Sequence, residues 1–156
     1  MKHTIQITIN GETMNMDVEP TEILLDVLRE KIGIKSPKIG CERGDCGACT
    51  ILLDGKSVRS CLILAIEADG RTIETVEGLS REGPNPLQKA MLRNNAFQCG
   101  FCAPGMTMTL TELLRKNPDP DQATIQEAIA GNLCRCTGYK PIIQSALECA
   151  RTEEGA

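Results

Sequence analysis

Eight of the nine cysteines in this 156-residue chain fall into two sets whose spacing points to metal chemistry. The first set lies in Gly40-Cys41-Glu42-Arg43-Gly44-Asp45-Cys46-Gly47-Ala48-Cys49, with Cys61 as a fourth thiol downstream. C-x4-C-x2-C followed by a later cysteine is the spacing of plant-type [2Fe–2S] ligands. Thiolate sulfur is the soft donor that iron–sulfur clusters require. Three side chains must turn toward one small object, so the loop has to bend. The glycines of the run permit the bend, including φ > 0, and let backbone N–H groups approach the sulfurs. Such N–H groups offset negative charge at the site and tune its potential. A structural zinc site favours paired C-x2-C motifs and fits this run poorly. A disulfide framework also fits poorly, because the cysteine count is odd and no secretory signal is visible.

The second set is Cys99-Gly100-Phe101-Cys102 with Cys134-Arg135-Cys136. Each pair stands just before a predicted helix N-terminus, at Pro104 and at Pro141. Helix N-termini carry partial positive charge and unsatisfied N–H donors, so an anionic cluster held between two of them is stabilised. Four cysteines from two loops also suit tetrahedral zinc. C-x-C discriminates weakly, and spacing alone leaves both readings open for this set.

The elements around these loops follow from periodicity. His3 to Ile9 alternates, with Ile5, Ile7 and Ile9 on one face, and Asn10-Gly11 is a type I′ hairpin signal leading into Met14, Met16 and Val18. Beyond Pro20, Thr21 is placed to cap a helix with the stripe Leu24, Leu25, Leu28 and Ile32, ended by Gly33. Thr50–Leu53 and Lys56–Arg59 form a second predicted hairpin about Asp54-Gly55, and a last strand is predicted from Thr72 to Val76. Ser80 to Pro86, with Gly83, Pro84 and Pro86, has the composition of a linker. Past it the periodicity is helical, with apolar positions Leu87, Ala90, Met91 and Phe97; Met106, Leu110, Leu113 and Leu114; Ile125, Ala128 and Ile129; and Ile142, Ala146 and Leu147. Thr124 and Glu127 have the spacing of a capping box for the third of these helices. The expected fold class is α+β: a sheet domain over residues 1–79 and a four-helix domain over residues 80–156, each with one cysteine set.

Composition narrows the function. Hydrophobic content of 41% with 24% charged residues is ordinary for a folded globular chain, and 2% aromatics leave the core to Ile, Leu, Val, Met and Ala. A net charge of -4 without a basic patch argues against nucleic acid as a partner. No apolar run approaches the roughly 18 residues of a membrane span. Unpaired thiols without an export signal imply a reducing, cytoplasmic setting. One histidine, His3, and no Ser/His/Asp or paired-carboxylate pattern leave no candidate catalytic residue. Cys149 has no partner motif and reads as a buried apolar residue. Gly40 to Gly47 lacks the G-x-G-x-x-G spacing of a nucleotide loop.

Gln98-Cys99-Gly100-Phe101-Cys102-Ala103-Pro104-Gly105 and Gly131-Asn132-Leu133-Cys134-Arg135-Cys136-Thr137-Gly138-Tyr139 resemble the two helical-domain motifs of the small iron–sulfur subunit of molybdenum hydroxylases. Gly40-Cys41 through Cys49-Thr50 resembles that family's first motif. The family is that of xanthine dehydrogenase, aldehyde oxidoreductase and carbon monoxide dehydrogenase, and the match runs in order from about residue 3 to about residue 150. The resemblance implies a β-grasp ferredoxin-like domain followed by a four-helix domain. It implies one [2Fe–2S] cluster on Cys41, Cys46, Cys49 and Cys61, and another on Cys99, Cys102, Cys134 and Cys136. It further implies an electron-transfer subunit, with a molybdopterin-binding large subunit that holds the substrate site and an FAD-binding medium subunit as partners. In the family the helical-domain cluster adjoins the pterin, which the match assigns to contacts from Gln98 and Cys136. Ala103 departs from the threonine of many members, at a position that is not a ligand. Two rival readings are a diffusing two-cluster ferredoxin, which should have a charged surface, and a zinc-stabilised binding module without redox function.

Overall fold

The computed structural model describes residues 2–151. The outer ends of both expected domains, residue 1 and residues 152–156, lie outside that range. The first half is a mixed five-stranded sheet in the order β2-β1-β5-β3-β4. β1 (His3–Ile9) pairs antiparallel with β2 (Glu12–Val18), and β3 (Thr50–Leu53) pairs antiparallel with β4 (Lys56–Arg59). β5 (Thr72–Glu74) joins the hairpins, parallel to β1 and antiparallel to β3. Both hairpin turns have the expected left-handed backbone: Asn10 and Gly11 at φ 50° and 86°, Asp54 and Gly55 at φ 50° and 77°.

The helix across the sheet starts later than the sequence predicts. Ile23, not Thr21, is its N-cap, and α1 (Leu24–Asp26) continues as a π-helical turn, Val27–Ile32. The reason is tertiary. Ile23 bridges to Leu64, Leu24 N donates to Ile63 O at 2.8 Å, and Ala65 N donates to Glu22 O at 2.7 Å. That pairing holds residues 22–24 extended, so helix geometry begins only after it. Gly33 closes the element at φ 87°, as predicted. The last strand also stops early, at Glu74. Thr75 N donates to Asn10 Oδ1 at 2.9 Å, and Thr75 becomes the N-cap of a short α2 (Val76–Leu79).

Four helices make the second half: α3 (Pro86–Arg93), α4 (Ala103–Lys116), α5 (Gln122–Ile129) and α6 (Lys140–Arg151). Asn85 and Gln88 form a reciprocal capping box on α3, which ends before Phe97. The α5 cap is Asp121, whose Oδ1 accepts from Thr124 N at 2.8 Å; Thr124 and Glu127 are both inside the helix. Each half has its own large apolar cluster. Ile5, Ile7, Ile9, Leu24, Leu28, Ile51 and Ile73 fill the space between sheet and helix. Leu87, Met91, Met106, Leu110, Ile125 and Ile142 fill the space among the helices, with Cys149 buried among them as expected. α4 also packs on β3 and β4, which brings the helical half against the sheet beside the first cysteine loop.

Candidate functional site

The first cysteine loop joins the helix to β3 and is coiled by left-handed backbone at Glu42, Gly44 and Gly47. Its sulfurs come together in pairs. Cys41 Sγ accepts from Arg43 N and from Cys46 N, each at 3.4 Å, and those N–H groups pull the Cys41 thiol down to about 7. Cys49 and Cys61 sulfurs lie 3.3 Å apart, packed with Leu25. Burial, reinforced by the Cys49 thiol, pushes Cys61 up to about 11. Cys61 is held there because Ser60 Oγ donates to Cys49 O at 2.7 Å.

The second set is paired in the same way. Cys99 and Cys136 sulfurs lie 3.5 Å apart at the surface. Cys102, buried at the N-cap of α4, faces Cys134; burial and then that neighbour push it up to about 12. Burial opposes ionisation of Cys134, but hydrogen bonds led by the Thr137 hydroxyl prevail and lower its pKa. A tetrahedral zinc at about 2.3 Å from each sulfur needs four equidistant thiolates. Here each set is two pairs: Cys41 with Cys46 and Cys49 with Cys61 in the first, Cys99 with Cys136 and Cys102 with Cys134 in the second. Two pairs suit a centre with two irons, each taking two cysteines.

Gln98 lies beside the exposed pair, where its Nε2 donates to the Cys136 carbonyl at 3.1 Å. The two residues that the family resemblance singled out are thus adjacent, 38 positions apart in the chain. His3 is exposed at the start of β1, Arg135 is exposed, and Met106 and Met108 are buried packing residues.

One structural feature has no signature in residue spacing: a clamp between the two loops. Leu133 N donates to Cys46 O at 2.9 Å, directly linking the residue before Cys134 to the other cysteine set. Asn132 is 1% exposed; its Nδ2 donates to Gly47 O at 3.1 Å and Thr50 Oγ1 at 3.3 Å, while its Oδ1 accepts from Thr109 Oγ1 at 3.0 Å. Arg59 adds bonds to Gly131 O at 2.6 Å and Thr50 Oγ1 at 2.7 Å. Gly105 of α4 lies so close to the Gly47 carbonyl that no side chain fits between them. Asn132 sits inside a quoted motif, yet its partners Gly47 and Thr50 lie more than 80 residues away, so spacing carries no hint of its task.

Large apolar side chains rim both loops. Ile39, Leu62, Phe101 and Leu133 are 45%, 58%, 47% and 55% exposed. Leu62 touches the Gly44 turn and Phe101 the Gly40 turn. An apolar rim of this kind marks an interaction surface, not the charged face of a diffusing carrier. Among the described residues no helix is long and apolar enough to cross a membrane.

Two family models match the chain: a 2Fe-2S iron-sulfur cluster binding domain over residues 7–80 and a [2Fe-2S] binding domain over residues 75–147. The chain is 50% identical over 144 residues to the nicotine 6-hydroxylase small subunit of Paenarthrobacter nicotinovorans, covering 92% of this chain and 87% of that one. It is 45% identical over 154 residues to the xanthine dehydrogenase iron-sulfur-binding subunit of Escherichia coli O157:H7, covering 96% of each. Quinoline 2-oxidoreductase from Pseudomonas putida 86 contains a chain that superposes with a TM-score of 0.91 at 49% identity, covering 98% of both. With both cluster-binding domains present in order and relatives this similar along nearly the whole length, the chain belongs to the small [2Fe–2S] iron–sulfur subunits of the molybdenum hydroxylase family, the family of xanthine dehydrogenase and aldehyde oxidoreductase.

Proposed function

We propose that this chain relays electrons between a molybdopterin centre on a large partner subunit and FAD on a medium partner subunit. One [2Fe–2S] cluster is held by Cys41, Cys46, Cys49 and Cys61 in a ferredoxin-like domain of residues 1–79. The other is held by Cys99, Cys102, Cys134 and Cys136 in a helical domain of residues 80–156. When bound, each cluster supplies a one-electron couple, and two in series match a two-electron oxidation to single-electron steps. The substrate site belongs to the molybdopterin subunit, and this chain contributes no catalytic residue.

The observation that carries this reading is the 2.9 Å hydrogen bond from Leu133 N to Cys46 O. It joins a ligand residue of one set to the neighbour of a ligand in the other through backbone alone. The buried Asn132 amide and the Arg59 guanidinium keep that path at fixed length. At the far edge, Gln98, Cys99 and Cys136 are exposed while Cys102 is buried, so this edge meets the pterin. The Gln98 amide keeps an acceptor and a second N–H beyond the one it gives to Cys136, enough to orient a polar ring system.

Two experiments test the proposal. The purified complex should contain about four irons per copy of this chain and give two distinct paramagnetic resonance signals on reduction. Stoichiometric zinc with little iron contradicts it. Gln98→Ala should leave both clusters formed but slow reduction of the helical-domain cluster by substrate by about 10- to 100-fold, the range for loss of an orienting contact. Cluster-to-flavin transfer should be unchanged. Rapid-kinetic reduction separates the two steps, and a slowed second step with a normal first places Gln98 at the wrong end of the relay.

A further inference from the structure

We infer that Thr137 sets the reduction potential of the helical-domain cluster by donating an O–H···S hydrogen bond to Cys134, with Tyr139 as the residue that positions it. The inference rests on the assignment of Cys134 as a cluster ligand. Three hydrogen bonds close a small ring. Thr137 Oγ1 is 3.2 Å from Cys134 Sγ, Tyr139 N donates to Thr137 Oγ1 at 3.3 Å, and Cys134 N donates to the Tyr139 hydroxyl at 3.0 Å.

The directions of these bonds follow from the donor inventory. A thiolate bound to iron can only accept. The Tyr139 N–H points at the Thr137 oxygen and so occupies its acceptor side. The hydroxyl proton is left for the sulfur. The Cys134 sulfur also accepts from the backbone N–H groups of Thr137 and Cys136, and the hydroxyl adds a side-chain donor to them.

Tyr139 shows that the arrangement is imposed. Its φ is 69°, a left-handed conformation that bulky residues rarely adopt, and it is held there from both ends: its amide by Thr137, its hydroxyl by Cys134. The ring is half-buried against the helical core, which fixes the hydroxyl end. Cys41 in the other loop likewise accepts from backbone N–H groups, those of Arg43 and Cys46 foremost, so the Thr137 hydroxyl is what sets Cys134 apart from it.

Reduction adds negative charge to a cluster, and a donor at its sulfur stabilises the reduced form more than the oxidised one. The hydroxyl therefore raises the potential of this cluster and leaves the other alone.

Redox titration of the assembled holoenzyme, followed by paramagnetic resonance, tests this. Thr137→Val keeps the shape and removes the proton. It should lower the midpoint of the helical-domain signal enough to shift electron sharing between the clusters about tenfold, which is about 59 mV for a one-electron couple. Thr137→Ser should titrate like the unsubstituted protein, and the ferredoxin-domain signal should not move in either variant. An unmoved midpoint in Thr137→Val, or an equal shift in Thr137→Ser, overturns the inference. A second readout guards against misfolding: exchange into D2O should remove from the helical-domain signal of the native enzyme a proton hyperfine coupling that Thr137→Ser keeps and Thr137→Val lacks, distinct from those of the backbone N–H donors. Its absence also overturns the inference while leaving Cys134 as a ligand. Absence of that entire signal from the native holoenzyme instead refutes the ligand assignment.

Discussion

Cys46→Ser should lower the iron content from about four to about two per chain and abolish one of two paramagnetic resonance signals, leaving the other in place. The substitution removes one sulfur of the Cys41/Cys46 pair and offers a hard oxygen to a site that takes soft ligands. The second set should survive for two physical reasons. Its thiols are positioned by α4, α6 and the turns before them, around an apolar cluster of their own. The clamp also persists, because Leu133 donates to the backbone carbonyl of residue 46, which serine retains. If both signals vanish while the chain stays folded and assembled, the division into two independent sites is wrong.

Gly47→Ala should destabilise the chain by about 2–5 kcal/mol, the sum of a left-handed backbone penalty of about 1–2 and an overpacking penalty of about 1–3. Gly47 has φ 72°, and an added Cβ would lie 2.5 Å from Gly131 O and 2.6 Å from Asn132 Nδ2. Both neighbours belong to the helical half, so the methyl group pushes directly on the clamp. Gly55→Ala is the matched control: its φ is 77°, but nothing lies within 4 Å of the added Cβ. Urea unfolding of the two variants separates conformational strain from collision. Gly47→Ala should exceed Gly55→Ala by about 1–3 kcal/mol. Equal losses would mean that the close approach of the two halves carries no energy.

Much of the fold and both cysteine sets were legible in the sequence because their causes are local. Alternation of Ile5, Ile7 and Ile9 specifies a strand with one buried face, and the turns at Asn10-Gly11 and Asp54-Gly55 need left-handed backbone that these residues tolerate. The cysteine spacing marks an iron–sulfur loop because few other sites use it. Misplaced boundaries had distant causes. Thr21 is a competent cap, but pairing of residues 22–24 with 63–65 outcompetes it. Thr124 and Glu127 have capping-box spacing, but Asp121 three residues earlier takes the Thr124 amide first. The resemblance of motifs carried the identity of the second set, which spacing alone could not separate from zinc. Tertiary structure alone decided how the thiols pair, which pair faces solvent, and how one loop is bonded to the other. Asn132 and Gly47 are 85 residues apart. Whether their amide and carbonyl meet depends on how α4 docks on β3, a property of the closed chain that no local pattern encodes.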